Sequence, residues 1–147
     1  NPVIRFSVVG VPVTQGSAKA IIHKTTGRAV LIQENHKGLR AWRGAIRRAA
    51  ETVAGGQKAP AQTPVWVTVS FRLPRPASVK RIRPSVKPDL DKLARAGLDA
   101  LSGVLFDDDG QVVSLKVSKQ YAIDGRPPGA VFEVMFGAEA EGQEALL

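Results

Sequence analysis

The sequence predicts a single α+β domain, a mixed β-sheet covered by two main helices. Its 147 residues fit the usual size of one domain. Segments of strand period and segments of helical period alternate in the order β-β-β-α-β-α-β-β, the pattern of a layered sheet-and-helix domain. No internal repeat and no linker divides the chain, so the domain is expected over residues 1–137, with a flexible tail over 138–147.

Val3 to Val13 is β-branched and mostly apolar, broken by Gly10 and Pro12, and reads as the first strand. Thr14-Gln15-Gly16-Ser17 is turn chemistry. Lys19 to Lys24 and Arg28 to Gln33 form two strands joined through Thr25-Thr26-Gly27, a hairpin. From Leu39 the period becomes helical: Leu39, Trp42, Ile46, Ala49, Ala50 and Val53 fall on one arc until Gly55-Gly56 stops the helix, with Arg40, Arg43 and Arg47 in a stripe beside it. Val65 to Leu73 alternates as a strand. Pro74 to Pro88 holds four prolines, five cations and no acid, which forbids a regular helix and leaves a cationic loop. Leu90 to Leu101 is a second amphipathic helix, with Leu90, Leu93, Gly97 and Leu101 on one face. Asp107 to Gly110 is a turn, and Gln111 to Tyr121 and Ala130 to Phe136 are the last strands.

Composition narrows the classes. Apolar residues make up 44% of the chain, enough for a core, which excludes a disordered protein. No apolar run approaches the roughly 18 residues of a membrane span, and Asn1 to Phe6 is no signal peptide. With no cysteine, disulfides, thiol nucleophiles and Cys-based zinc sites are excluded, and the cytoplasm is the expected compartment. His23 and His36 are too few for a His-rich metal site, and both are expected to be surface residues. No phosphate-binding glycine loop is present, so no nucleotide cofactor is expected.

Charge is strongly divided. Residues 1–87 carry sixteen cations and two acids, whereas residues 88–147 carry five cations and eleven acids. The first region is suited to a polyanion, for which nucleic acid is the commonest candidate, and the second concentrates carboxylates. The candidate phosphate-contacting cations are Lys19, the helical stripe of Arg40, Arg43 and Arg47, the loop residues Arg75, Lys80, Arg81, Arg83 and Lys87, and Lys92 and Lys119.

The candidate chemistry lies in Asp89 and Asp91 at the mouth of the second helix, together with Asp109. A helix that runs back toward the sheet can bring Asp109 beside Asp89 and Asp91. Three close carboxylates stay ionised only around a cation, and an all-oxygen set suits Mg²⁺ or Mn²⁺. A metal beside a basic surface points to phosphodiester hydrolysis. Arg95, four residues after Asp91, would hold the attacked phosphate or steady the leaving group, or else form an ordinary ion pair with Asp91 or Asp99. Equally open is a set of caps and turns, with Asp89 as N-cap, Asp91 at the positive helix end and the aspartate triple in a solvated turn.

Lys87-Pro88-Asp89-Leu90-Asp91-Lys92-Leu93, Leu98-Asp99-Ala100-Leu101, Asp108-Asp109-Gly110-Gln111-Val112-Val113 and Lys119 resemble the RusA family of Holliday junction resolvases, common in phages and prophages. Gly10-Val11-Pro12, Gln15-Gly16-Ser17, the segment from Lys37 to Trp42 and the proline-rich basic loop resemble its phage branch. The resemblance implies a homodimeric, Mg²⁺-dependent endonuclease that cuts four-way and other branched DNA by paired nicks, with Mn²⁺ as a substitute metal. It implies three catalytic aspartates, Asp89, Asp91 and Asp109, and a catalytic cation where this chain has Arg95 in place of the usual lysine. A basic DNA-binding protein without catalysis and a less selective metal-dependent nuclease are the alternatives.

Overall fold

Burial with a period of two builds the sheet. In the computed structural model, which describes residues 3–16, 18–22, 24–33 and 35–137, β1 (Val3–Val9) buries Ile4, Phe6 and Val8 and exposes the residues between them. β2 (Ala18–Ile22) and β3 (Ala29–Gln33) pair antiparallel as a separate two-stranded hairpin. Then come α1 (His36–Ala54), β4 (Val65–Leu73), α2 (Leu90–Leu101), β5 (Val112–Tyr121) and β6 (Gly129–Phe136). The α+β class and the element order are as expected from the sequence. The first strand ends at Val9 rather than Val13: the Gly10 amide makes a last bond to the Pro128 carbonyl at 2.9 Å, Gly10 turns the chain at φ +150°, and Pro12 has no amide to extend the ladder. The first helix starts at His36, three residues before the apolar arc begins. Asn35 in left-handed geometry caps it, its Oδ1 accepting from the Gly38 amide at 3.2 Å. The expected tail, 138–147, lies outside the described residues.

The main sheet has the order β1-β6-β4-β5. β6 is antiparallel to both β1 and β4, whereas β4 and β5 are parallel. Parallel neighbours need a crossover, and here it is the proline-rich loop, α2 and the turn that follows. α2 therefore runs back against the direction of β4 and β5. Its first residue lies at the end of the sheet where those strands finish, and its last residue lies where they begin. This polarity decides which functional residues can meet.

One sheet face carries the core. Leu39, Trp42, Ile46 and Ala50 of α1 and Leu93, Ala96, Ala100 and Leu101 of α2 pack over Phe6, Phe71, Phe132 and Val134. Phe6 and Phe132 stack with ring centroids 5.0 Å apart, and Phe71 meets Phe132 edge-on at 6.2 Å. Gly97 lets α2 come close, since a Cβ there would sit 3.1 Å from the Phe132 ring. The opposite face is more polar, with Arg5 paired to Glu133 and Thr68 exposed. β5 is an edge strand whose Val113 is 58% and Leu115 40% exposed. No helix among the described residues is long and apolar enough to cross a membrane.

Candidate active site

The basic loop is fastened to the last residues of β5. Lys119 Nζ donates to the carbonyls of Val86 at 2.7 Å and Pro88 at 2.8 Å. Arg81 Nη1 donates to the Tyr121 hydroxyl at 3.0 Å, and Arg75 lies 5.9 Å above that ring while its Nη2 donates to the Arg81 carbonyl at 3.2 Å. Lys119, Arg81 and Arg75 thus hold the loop so that Asp89 follows directly from an anchored carbonyl.

Asp89 occupies the N-cap of α2 with extended backbone, yet its side chain accepts no capping hydrogen bond. Its carboxylate is paired with Lys92 Nζ at 3.3 Å. Asp91 is exposed in the first turn, and no hydrogen bond or ion pair from the described residues engages its carboxylate. Both stand at the positive end of the helix dipole, which favours their charge. Asp89 thus makes no capping bond, whereas Asp91 stands in the first turn, where the helix dipole favours an acid.

Arg95, one turn further along, pairs with neither Asp91 nor Asp99. Asp99 is engaged instead by Arg43 Nη2 at 3.1 Å and by Gln15 Nε2 at 2.9 Å.

Asp109 is elsewhere. It opens a 3-10 turn (Asp109–Gln111) just before β5, whereas Asp89 follows Pro88, whose carbonyl is held by Lys119 near that strand's other end. Seven residues of strand separate Val112 from Lys119, roughly 23 Å at 3.3 Å per residue. The expectation that the fold brings Asp109 beside Asp89 and Asp91 within one chain is not met. Among the described residues, no three His, Asp or Glu side chains gather where they could hold a metal.

At that far end the aspartates have distinct duties. Asp107 is paired with Lys58, at 2.5 Å. Asp108 caps the 3-10 turn by accepting from the Gly110 amide at 3.2 Å. Of the three, Asp109 is the one whose carboxylate has no partner among the described residues. Gln111, a member of the resembling motif with no role expected for its side chain, fixes this turn. Its Nε2 donates to the carbonyls of Pro60 at 2.9 Å and Thr63 at 3.0 Å, and its Oε1 accepts from the amides of Asp107 at 2.9 Å and Asp108 at 3.2 Å. The signal was present, because Asp108 with Gln111 three residues on is a capping-box spacing.

The cations divide in the same way. Arg47 Nη1 donates to the carbonyls of Ala100 and Ser102, both at 3.1 Å, so it caps the C-terminal end of α2. Arg43 is held by Asp99. Lys119 serves the loop carbonyls and Lys92 serves Asp89. Arg40, Lys80, Arg83 and Lys87 are exposed, with no partner among the described residues. Lys19 lies on β2, its side chain outside the described residues. His36 is the exposed first residue of α1, and His23 is outside the described residues.

A prediction separates the two groups. Lys80→Ala with Arg83→Ala should flatten the log–log salt dependence of DNA binding by about 0.9 for each phosphate no longer neutralised. Arg47→Ala should leave that slope unchanged and cost about 2 kcal/mol of stability, since two carbonyls lose a charged donor. Salt titrations beside thermal melts read both, and the opposite assignment of effects would exchange their roles.

As a donor set, Asp89 and Asp91 fit a hard divalent cation. Mg²⁺ takes one or two carboxylates and completes its shell with water and substrate phosphate.

A model of the family described as Endodeoxyribonuclease RusA matches residues 10–132. A relative from Bacillus subtilis (strain 168), described as "Uncharacterized protein YqaN", is 32% identical over 145 residues, covering 89% of this chain and 96% of its own length.

Proposed function

From the fact that this chain belongs to the RusA family of endodeoxyribonucleases, we propose that it is a Mg²⁺-dependent, structure-specific endonuclease. Its substrates are four-way and other branched DNA, which it resolves by paired nicks in the cytoplasm as a homodimer. The observation that carries this reading is the pair Asp89 and Asp91, free of capping duty, at the start of a helix and directly after an acid-free cationic loop.

Arg40, Lys80, Arg83 and Lys87 hold backbone phosphates and set the strand's path past the start of α2. Arg95 lies one turn beyond Asp91, where its guanidinium can pair with the attacked phosphate as negative charge grows there. Asp89, Asp91 and Asp109 would hold Mg²⁺, with Mn²⁺ as a substitute, and the bound ion would supply an activated water and charge stabilisation. Lys92 keeps the Asp89 carboxylate in place.

Completing that set takes two copies. The exposed edge of β5, with Val113 and Leu115, is suited to antiparallel pairing with β5 of a second copy. Pairing of that kind reverses one strand against the other, so Asp109 of each copy comes to the end where Asp89 and Asp91 of the other stand. Two such sites related by a two-fold axis match the near two-fold symmetry of a four-way junction.

Labelled four-way, forked and linear duplex DNA, each incubated with Mg²⁺ or with EDTA, provide the test. Paired cuts in the four-way substrate with Mg²⁺ alone are expected. Binding without cutting would leave a non-catalytic DNA-binding protein, and equal cutting of linear duplex would leave a general nuclease.

A further inference from the structure

The turn 14–16 is laid along one face of α2 and fastened at two levels. The Gln15 amide donates to the Lys92 carbonyl at 3.0 Å, and Gln15 Nε2 donates to Asp99 Oδ2 at 2.9 Å. Lys92, Arg95 and Asp99 have the i, i+3, i+7 spacing of one helix face, so the two fastenings straddle Arg95. Asp99 is itself fixed from α1 by Arg43. With Nε2 committed to Asp99, Gln15 Oε1 is left buried without a donor among the described residues. A buried acceptor left unsatisfied is costly, so hydrogen-bond satisfaction alone does not explain why the turn lies here.

Gly16 stands against Arg95. It has φ +97°, and a Cβ on it would lie 2.5 Å from Arg95 Nη1 and 3.3 Å from Cζ. A side chain at position 16 strains the backbone at this φ and also meets the far end of a flexible residue, so the contact itself is relieved by the guanidinium swinging away while the fold persists. We infer that Gly16, held by Gln15 and Asp99, is a positioning residue for the Arg95 guanidinium, fixing where that cation meets the phosphate under attack. This rests on the endonuclease reading above. It also accounts for how arginine is accommodated here, since a lysine lacks both terminal nitrogens of the fork and ends about where Cζ stands.

A double-mutant cycle tests it. Single-turnover cleavage of a four-way junction is measured for the wild type, Gly16→Ala, Arg95→Lys and the double variant, each checked by thermal melt. Gly16→Ala is expected to slow cleavage at least about tenfold in the wild type and less than about twofold when Arg95 is already lysine. A Gly16→Ala variant that cleaves like wild type, or that loses the same factor in both backgrounds through backbone strain alone, overturns the proposal.

A second readout does not depend on cleavage. The Nε–Hε NMR resonance of Arg95, assigned by its disappearance in Arg95→Lys, should shift in Gly16→Ala and in Gln15→Ala. An unmoved resonance overturns the positioning role. A shifted resonance in a protein that cuts no junction keeps the positioning and removes the nuclease reading, so the two failures are distinct.

Discussion

Asp91→Asn should lower single-turnover junction cleavage by at least about a thousandfold, a loss of about 4 kcal/mol of transition-state stabilisation. The amide is nearly the same size and shape but gives up the anionic oxygens that a hard divalent cation requires. Asp91 has no partner among the described residues, so its replacement breaks no native bond seen there. The melt should shift by only the few tenths of a kcal/mol that an acid contributes at a helix N-terminus. Junction affinity without metal should hold or rise, because a charge that repels phosphate is gone. A variant that cuts within about tenfold of wild type would remove Asp91 from the metal set. Activity lost together with a large fall in melting temperature would show a structural residue instead.

Mixing two inactive variants should restore activity. Asp91→Asn and Asp109→Asn are each expected to be inactive alone. In a mixed dimer one site receives Asp89 and Asp91 from the Asp109→Asn copy and Asp109 from the Asp91→Asn copy, so that site is intact while the other has lost both functions. Random re-pairing of equal amounts makes about half of all dimers mixed, each with one of two sites complete, or about a quarter of wild-type sites. The product should be a nicked junction rather than a resolved one. Complementation of this kind requires a site shared between copies. A mixture as inactive as its components would return all three aspartates to one chain and demand a rearrangement of the turn before β5.

The elements that periodicity describes were legible without the fold. Val65–Leu73 and Leu90–Leu101 are found at the boundaries their alternation and helical arc predict, and the four prolines of residues 74–88 mark the loop correctly. Asp89 and Asp91 were legible as candidates because two acids one residue apart follow directly on an acid-free cationic loop. The location of Asp109 was misjudged for a physical reason. At about 1.5 Å per residue α2 carries the chain roughly 15 Å away from Asp91. The residues between Leu101 and Val112 then form a tight turn, with Ser102 bridged to Phe106, which cannot bring the chain back. Closeness in sequence hid a full helix length of separation in space. Within the arginine stripe of α1, Arg43 and Arg47 have intramolecular partners that the sequence did not announce, whereas Arg40 stays exposed. A cation on an exposed helical arc looks like a ligand for DNA until a second helix is found with its last carbonyls beside it, and nothing in the period of α1 announces where α2 will end.

The parallel pairing of β4 and β5 has a consequence for how this protein can diversify. A connection between parallel neighbours must travel the length of the sheet in any case, and its length is set by no hairpin geometry. Lengthening a flexible loop costs only about 0.6 kcal/mol for each doubling. The exposed stretch 76–78 can therefore gain or lose segments while Arg75, Arg81 and Lys119 still hold the rest of the loop and the two acids that follow keep their place. An exposed segment of the cationic loop is free to drift, while Asp89 and Asp91 follow a carbonyl held by a strand that does not have to change. Lineages built on this crossover can alter the length and charge of that exposed segment without a new fold.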